Sequence, residues 1–363
     1  MGLGKTRKKH QMIKVTKSES KSGDIVRLTL TNASGASVVL STVGAGIVEV
    51  NVPDRDGRLA DVTLGYADPT AYFGDGPAAG KIPGRYANRI ALGRFRLGDR
   101  EYQLPVNNGP NCNHGGDNGY HNRNWEVKSY TDNSVTFVLH SPDGDAGFPG
   151  NLTAEARYVW TDSNELRLTL TATTDAPTVV NLTNHAYWNL AGHNSGSVLG
   201  HELKLNAVRY LPTDETLIPT GELAPVAGTP MDFRSFKAIG RDIRADFPAL
   251  RIGKGYDACW AVDSYTPDTV RTVASLRDAA SGRILEVESD QPGVQVYTGN
   301  WLSGCPANKA GRSYDDYDGV AIECQNFPDS PNKPEFPSAV LLPGQTYKRH
   351  INFIFRTFHP LTR

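Results

Sequence analysis

Apolar and polar residues alternate with a period of two over several stretches of the chain. In DIVRLTLTN, Val26, Leu28 and Leu30 fall on one side, and Ile25, Arg27 and Thr29 on the other. In NELRLTLTA, Leu166, Leu168, Leu170 and Ala172 line one face, with Arg167, Thr169 and Thr171 opposite. In SVTFVLH, Val135, Phe137 and Leu139 oppose Thr136, Val138 and His140. This alternation, rich in β-branched and aromatic residues, predicts half-buried strands. Turn signals stand between such runs: PDRDGR at 53–58, LGDRE at 97–101, SPDGDAG at 141–147 and DAASGR at 278–283. Alternating runs joined by Gly/Asp turns predict antiparallel meanders. Helical signal is thin. SFKAIGRDIRADF, Ser235 to Phe247, reads as a short helix capped by Ser235, and DPTAYF at 68–73 as a single turn. No composition break divides the chain, and no segment repeats at a fixed period. The pattern predicts an all-β protein: one large antiparallel β-sandwich over residues 23–363, preceded by a basic, strand-poor tail over residues 1–22.

Composition narrows the function classes. The 363 residues carry 38 Lys+Arg against 39 Asp+Glu, a formal net charge of −1. That balance gives no electrostatic case for a nucleic-acid partner. The 36 glycines and 23 prolines suit a protein with many turns. Cys112, Cys259, Cys305 and Cys324 form no C-x-x-C pair and are too sparse for a disulfide scaffold. They read as reduced thiols, hence a cytoplasmic location. No run of about 18 apolar residues predicts a membrane span. Near the start, Gly4-Lys5-Thr6 has neither the upstream glycine nor the strand of a phosphate-binding loop. The same residues fit Met-Gly-x-x-x-Thr, with Lys5, Arg7, Lys8 and Lys9 nearby, but read as a plain basic tail rather than a lipid anchor. No apolar secretory segment follows them.

Several stretches carry candidate chemistry. VVNLTNHAYWNL sets His185 among amides, threonine and aromatic rings; NCNHGGDNGY sets His114 before Gly115-Gly116. GKIPGRYANRIALGRF holds Lys81, Arg85 and Arg89; KGYDACW holds Asp257; QPGVQVYTGNW holds Gln291 and Gln295. Each has a plain structural reading: an exposed arginine, a tight turn at His114, a satisfied buried histidine, a turn aspartate. Glu323 stands apart. In VAIECQNF, alternation puts Val320, Ile322 and Cys324 on one face and Ala321, Glu323 and Gln325 on the other. A carboxylate among apolar neighbours is costly to bury unless it is used or paired. Amides, charged groups and aromatic rings together suit a sugar, which offers hydroxyls and an apolar C–H face. A metal site is not expected: His114 and His185 are far apart in the chain, and no H-x-H or H-E-x-x-H is present.

Taken in order, GRYANRIALGRF, NHGG, NLTNHAYWNLAG, GYDACW, QPGVQVYTGNW and IECQNFPDSPN resemble the successive signatures of the aldose 1-epimerase (galactose mutarotase) family. VPDRDGRLADVTLGY and LLPGQTYKRHINFIF resemble its early and closing strands, so the likeness covers about residues 24–357. The resemblance implies the supersandwich form of the β-sandwich. It implies an isomerase of hexose metabolism that interconverts the α and β anomers of free aldoses without a cofactor. It implies Glu323 as general base, His185 as general acid and His114 as an assistant near the ring oxygen. Asn88, Arg89, Asp257 and Gln295 would then hold sugar hydroxyls. The expected partner is a small aldose, and the expected assembly a monomer or weak homodimer. The chemistry agrees: ring opening needs a proton removed from the anomeric hydroxyl and one delivered to the ring oxygen, here by groups on opposite sides of the ring.

Two features bear on specificity. Lys81 and Pro83, in AAGKIPGR, depart from the small or aliphatic residues usual before Gly-Arg, and are expected to reshape the pocket rim. Trp188 takes the aromatic place in NHAYWNL. Three rival readings remain. A hexose-6-phosphate 1-epimerase would aim Lys81, Arg85 and Arg89 at a phosphate. A non-catalytic carbohydrate-binding protein would need no acid–base pair. A glycosidase would use Asp257 and Glu323 on either side of one bond.

Overall fold

A computed structural model describes residues 12–359. Three antiparallel sheets of five, nine and six strands dominate it, with three two-stranded ribbons besides. The strands follow the alternation of the sequence. Ile25–Thr31 buries Leu28 and Leu30. Glu165–Thr174 buries Leu166, Leu168, Leu170 and Ala172, and its Leu166 and Leu168 lie opposite Phe353 and Ile351 of Tyr347–Thr357. Ser134–Ser141 is buried on both faces apart from His140, so its alternation does not divide a core face from a wet one. All four turn signals join antiparallel neighbours: 53–58 joins Gly46–Pro53 to Leu59–Asp61, and 97–101 joins Arg94–Leu97 to Arg100–Gln103. Likewise 141–147 joins Ser134–Ser141 to Leu152–Trp160, and 278–283 joins Arg271–Arg277 to Arg283–Ser289. One apolar core takes Leu40 and Val50 from the five-stranded sheet, Phe137 and Phe353 from the nine-stranded sheet, and Val294 and Ile322 from the six-stranded sheet. Burial against that shared core holds the sheets face to face.

Three expectations need correction. Residues 12–18, assigned to the strand-poor tail, form the outer strand Met12–Ser18, paired along its length with Ile25–Thr31. It is mostly exposed; the free edge of its neighbour, with backbone hydrogen bonds to satisfy, supplies what the residues' own polarity concealed. The Met-Gly-x-x-x-Thr pattern and the basic residues beside it lie outside the described residues. Ser235–Phe247 is not a helix. Lys237–Ala238 pairs with Glu202–Leu205, and only the 3₁₀ turn Ile239–Arg241 follows. Gly240 passes so near Leu199 that a Cβ there would stand 2.9 Å from the Leu199 carbonyl oxygen. The one α-helix among the described residues is the short Pro248–Gly253, with proline in its first turn. Finally, Lys81 and Pro83 lie inside the protein rather than on a rim. DPTAYF does form one turn, the 3₁₀ helix Pro69–Tyr72, capped by the Asp68 side chain. The four cysteines are free thiols. No helix among the described residues is long and apolar enough to cross a membrane.

Candidate active site

The six-stranded sheet separates the core from a cavity. In Val320–Gln325, the side chains of Val320, Ile322 and Cys324 enter the core, and so do Val294 and Val296 of Gly293–Tyr297. Strand alternation turns Ala321, Glu323, Gln295 and Tyr297 the other way. Register completes this face: Gln295 lies opposite Glu323, Tyr297 opposite Ala321 and Asp257, and Tyr187 opposite Ala321. Trp188, next in its strand, faces the core against Phe353 and Phe355; Tyr187 takes the aromatic place in the cavity.

The cavity has a volume of about 700 Å³ and is lined by Asn88, Arg89, His114, His185, Asp257 and Glu323, six of the seven expected residues. Gln295 is not in the lining. It stands behind Asp257, donating from Nε2 to Asp257 Oδ1 at 2.7 Å. Arg89 donates from Nε to Asn108 Oδ1 at 2.9 Å, and one terminal nitrogen lies 3.9 Å from Asp257 Oδ2.

His114 and Asn88 are locked together. Asn88 N–H donates to His114 Nδ1 at 3.0 Å, and His114 N–H returns a bond to the Asn88 carbonyl at 3.1 Å. His114 has φ 55°, and Gly115 behind it has φ 80°. A Cβ on Gly115 would sit 2.2 Å from the Gly84 carbonyl oxygen, so only glycine lets the two loops close this way. The turn at His114 and a functional role are thus compatible. With Nδ1 accepting, neutral His114 carries its proton on Nε2.

His185 is fixed through its backbone: its N–H donates to the Lys81 carbonyl at 2.8 Å, and its carbonyl accepts from Gly80 N–H at 3.0 Å. Its ring stands perpendicular to that of His114, with centroids 5.3 Å apart. Its Nε2 lies 3.3 Å from Glu323 Oε1, with both side chains almost wholly buried. Among the described residues, His185 Nδ1 and Glu323 Oε2 have no hydrogen-bond partner. Burial lowers His185 to about 4. It lowers His114 well below the usual histidine value, helped by the neighbouring His185 and His121. Burial, then the Asp257 charge, raises Glu323 well above the usual carboxyl range. Each member of the pair is therefore driven toward its uncharged form.

His114 and His185 are far apart in the chain, yet the fold brings ligand atoms of His114, His185 and Glu323 within 4.8 Å of one another. The hydrogen bonding argues against one instead. A ligating histidine donates its second N–H outward, whereas His114 receives one at Nδ1 and so keeps its proton on Nε2. The donor set suits proton transfer better than metal ligation.

Sequence reasoning missed Asp75, Tyr187 and Tyr297 in the lining. Tyr297 was reachable, two residues after Gln295 on an alternating strand; Asp75, in an irregular loop, gave no signal. Of the cations offered as a phosphate cluster, only Arg89 lines the cavity. Arg85 is buried, bonded to Tyr120, Pro149, Gly150, Thr178 and Ser141. Lys81 is fully buried and paired with Asp75 at 2.8 Å. Gln291 is likewise internal, donating to the Leu182 carbonyl and Tyr347 hydroxyl.

Fold and cavity define a class: an antiparallel supersandwich with a buried carboxyl–imidazole pair at the bottom of a cavity lined by amides, charged groups and aromatic rings. The family model described as Aldose 1-epimerase matches residues 26–353. A galactose mutarotase of Mus musculus is 43% identical over 319 residues, 88% of this chain and 91% of that protein. An aldose 1-epimerase of Escherichia coli (strain K12) is 39% identical over 330 residues, 90% of this chain and 94% of that protein. The crystal structure of a galactose 1-epimerase from Lactobacillus acidophilus NCFM superposes with a TM-score of 0.84 at 29% identity, covering 96% of this chain and all of that one. The chain belongs to the aldose 1-epimerase family.

Proposed function

We infer that the protein is an aldose 1-epimerase, a mutarotase that interconverts the α and β anomers of free aldohexoses such as glucose and galactose. The observation that carries this reading is the contact of Glu323 Oε1 with His185 Nε2 at 3.3 Å, at the bottom of a cavity with polar walls. The two groups stand side by side, not on opposite sides of a ring as the sequence reading had them. This suits the reaction, because O1 and O5 are both bonded to C1.

Glu323 takes the proton of the anomeric hydroxyl while His185 delivers one to O5, and the C1–O5 bond breaks. The aldehyde rotates about C1–C2, and the transfers reverse on the other face. The pair holds one proton throughout: burial favours it on Glu323 in the free protein, and the reacting arrangement has it moved across the 3.3 Å contact to His185 before opening and back on Glu323 after it. Direct contact lets that proton return without exchange with solvent. Burial makes Glu323 a stronger base than an exposed glutamate. His114 offers its Nε2–H beside the ring oxygen. Asn88, Arg89 and Asp257 receive hydroxyls, and Gln295 orients Asp257.

Polarimetry of freshly dissolved α-glucose and α-galactose tests this. Glu323→Gln and His185→Asn are each expected to lower kcat by about 10²–10⁴-fold with circular dichroism unchanged. A wild-type rate in Glu323→Gln would remove the carboxylate from the mechanism. A wild-type rate in His185→Asn would make His114 the donor. Faster turnover of glucose 6-phosphate than of glucose would favour the phosphate-sugar reading, which the burial of Lys81 and Arg85 opposes.

A further inference from the structure

A second cavity, of about 400 Å³, lies where Gly293–Tyr297 begins and Val320–Gln325 ends, beside the ribbon of Thr178–Val179 and Val340–Leu341. It shares no lining residue with the active-site cavity. Its volume falls in the range of small-molecule sites. One wall is apolar, made by Val180, Pro292 and Leu341; the rest is polar.

Arg349 is the one charged side chain in that lining among the described residues, so no lining carboxylate repels an anion there. Its guanidinium carbon stands 5.1 Å from the centroid of the Tyr347 ring, two residues back on the same strand face. One terminal nitrogen donates to the Lys348 carbonyl at 2.7 Å and lies 3.7 Å from Asp268 Oδ1, on a side chain that is 83% exposed. An exposed contact of that length holds the cation weakly. Nε and the other terminal nitrogen have no partner among the described residues. A guanidinium laid on a ring with an edge free is suited to a carboxylate or phosphate.

Gln291 stands deeper, 1% exposed. Its Nε2 donates to the Leu182 carbonyl and the Tyr347 hydroxyl, each at 3.2 Å. That fixes the amide and leaves Oε1 without a partner among the described residues. A buried acceptor of this kind calls for a donor, such as a hydroxyl. The Tyr265 hydroxyl, also in the lining, has no partner among the described residues either, and lies within reach of the Arg349 charge.

We propose that this cavity is a second binding site, for a hydroxylated organic anion about the size of a hexose phosphate. Its acidic group lies on Arg349, a hydroxyl donates to Gln291 Oε1, and its carbon skeleton rests on the apolar wall. A phosphate ester and a hydroxycarboxylate share this chemistry. The site does not depend on the mutarotase reading.

Isothermal titration of the full chain tests it with glucose 6-phosphate, gluconate and inorganic phosphate, circular dichroism showing that each variant is folded. One or both organic anions are expected to bind. Their affinity should fall about tenfold or more in Arg349→Gln and about threefold in Tyr265→Phe. It should not change in Arg89→Gln, which removes the cation of the active-site cavity instead. Inorganic phosphate, with no carbon-borne hydroxyl for Gln291, is expected to bind at least about tenfold more weakly. A response to glucose 6-phosphate only assigns the site to phosphate esters, and one to gluconate only to hydroxycarboxylates. Equal affinity in wild type and Arg349→Gln overturns the site, and loss in Arg89→Gln moves the anion to the active-site cavity and overturns it too. No binding of either organic anion, or equally tight inorganic phosphate, would also overturn it.

Discussion

The amide of Asn88 decides what His114 can do. By donating to Nδ1 it leaves the ring proton on Nε2, so His114 is a hydrogen-bond donor within the cavity. Asn88 reaches that position with φ 65°, a conformation asparagine tolerates better than most residues. For Glu323 and His185, burial decides. Imidazolium is disfavoured down to about 4, and carboxylate is disfavoured to well above its ordinary range. Between those limits the pair holds the single proton that the reaction passes back and forth. Below them it holds two, and Glu323 cannot accept; above them it holds none, and no acid remains. The profile of kcat/KM against pH is therefore expected to be a bell belonging to the pair, with its acid limb near 4 rather than at the ordinary histidine value of 6.5. Polarimetric initial rates, corrected for buffer catalysis, measure it. An acid limb at 6.5 would mean that His185 titrates as a solvated imidazole.

Between residues and sheets, the loop from Asp75 to Lys81 fixes the position of His185. Asp75 accepts from Ala78 N–H, Ala79 N–H and the Tyr66 hydroxyl, and pairs with Lys81 Nζ at 2.8 Å. Lys81 Nζ also bonds the Tyr72 carbonyl and Asn122 Oδ1, while the Lys81 carbonyl takes the His185 N–H. Removing the cation alone strands a buried carboxylate. Lys81→Met is expected to cost about 3–5 kcal/mol in urea unfolding, and Lys81→Met with Asp75→Leu to recover much of it. An unchanged midpoint in the single variant would show that the pair contributes nothing. Such an element is invisible in the sequence, where AAGKIPGR reads as a departure at the rim. A lysine with three acceptors and an exposed lysine look alike in one dimension. Strands with one wet face were legible, as Glu165–Thr174 shows. Met12–Ser18 was not, because an edge strand on the surface buries too little to leave a pattern. Ser235–Phe247 misled through its spacing of apolar residues, where the pairing of Lys237 with Leu203 and the tight passage of Gly240 overrode helical propensity.

Across the whole molecule, residues from 88 to 323 converge because strand register aligns Glu323, Gln295 and Asp257 on one face while loops bring His114 and Asn88 over it. The chemical types of these residues could be read along the chain; their convergence needed either the family likeness or the fold. The fold also seals imidazoles away from water, in the site and outside it. His121, His185 and His201 are each less than 9% exposed, and burial lowers them to about 3, 4 and 4. His201 Nε2 accepts the Leu190 N–H at 2.9 Å, a bond that protonation would break. Unfolding returns each to about 6.5, so below that value the unfolded chain binds more protons than the folded one. Stability therefore rises with pH in that window: it is complete above 6.5 and is lost as pH falls toward 4. The slope is about 1.4 kcal/mol per pH unit for each histidine, or roughly 4 for the three together. Glu323 has the opposite sign, since its raised value favours the folded state at low pH and loses that contribution as pH climbs through it. Guanidinium unfolding at pH of about 7 and about 5 should show the loss, with a net uptake of protons on unfolding at the lower pH. Equal stability at the two values would mean that water or a counter-charge reaches these rings in the folded protein, and would remove the sealed, uncharged imidazole from the account of the active site as well.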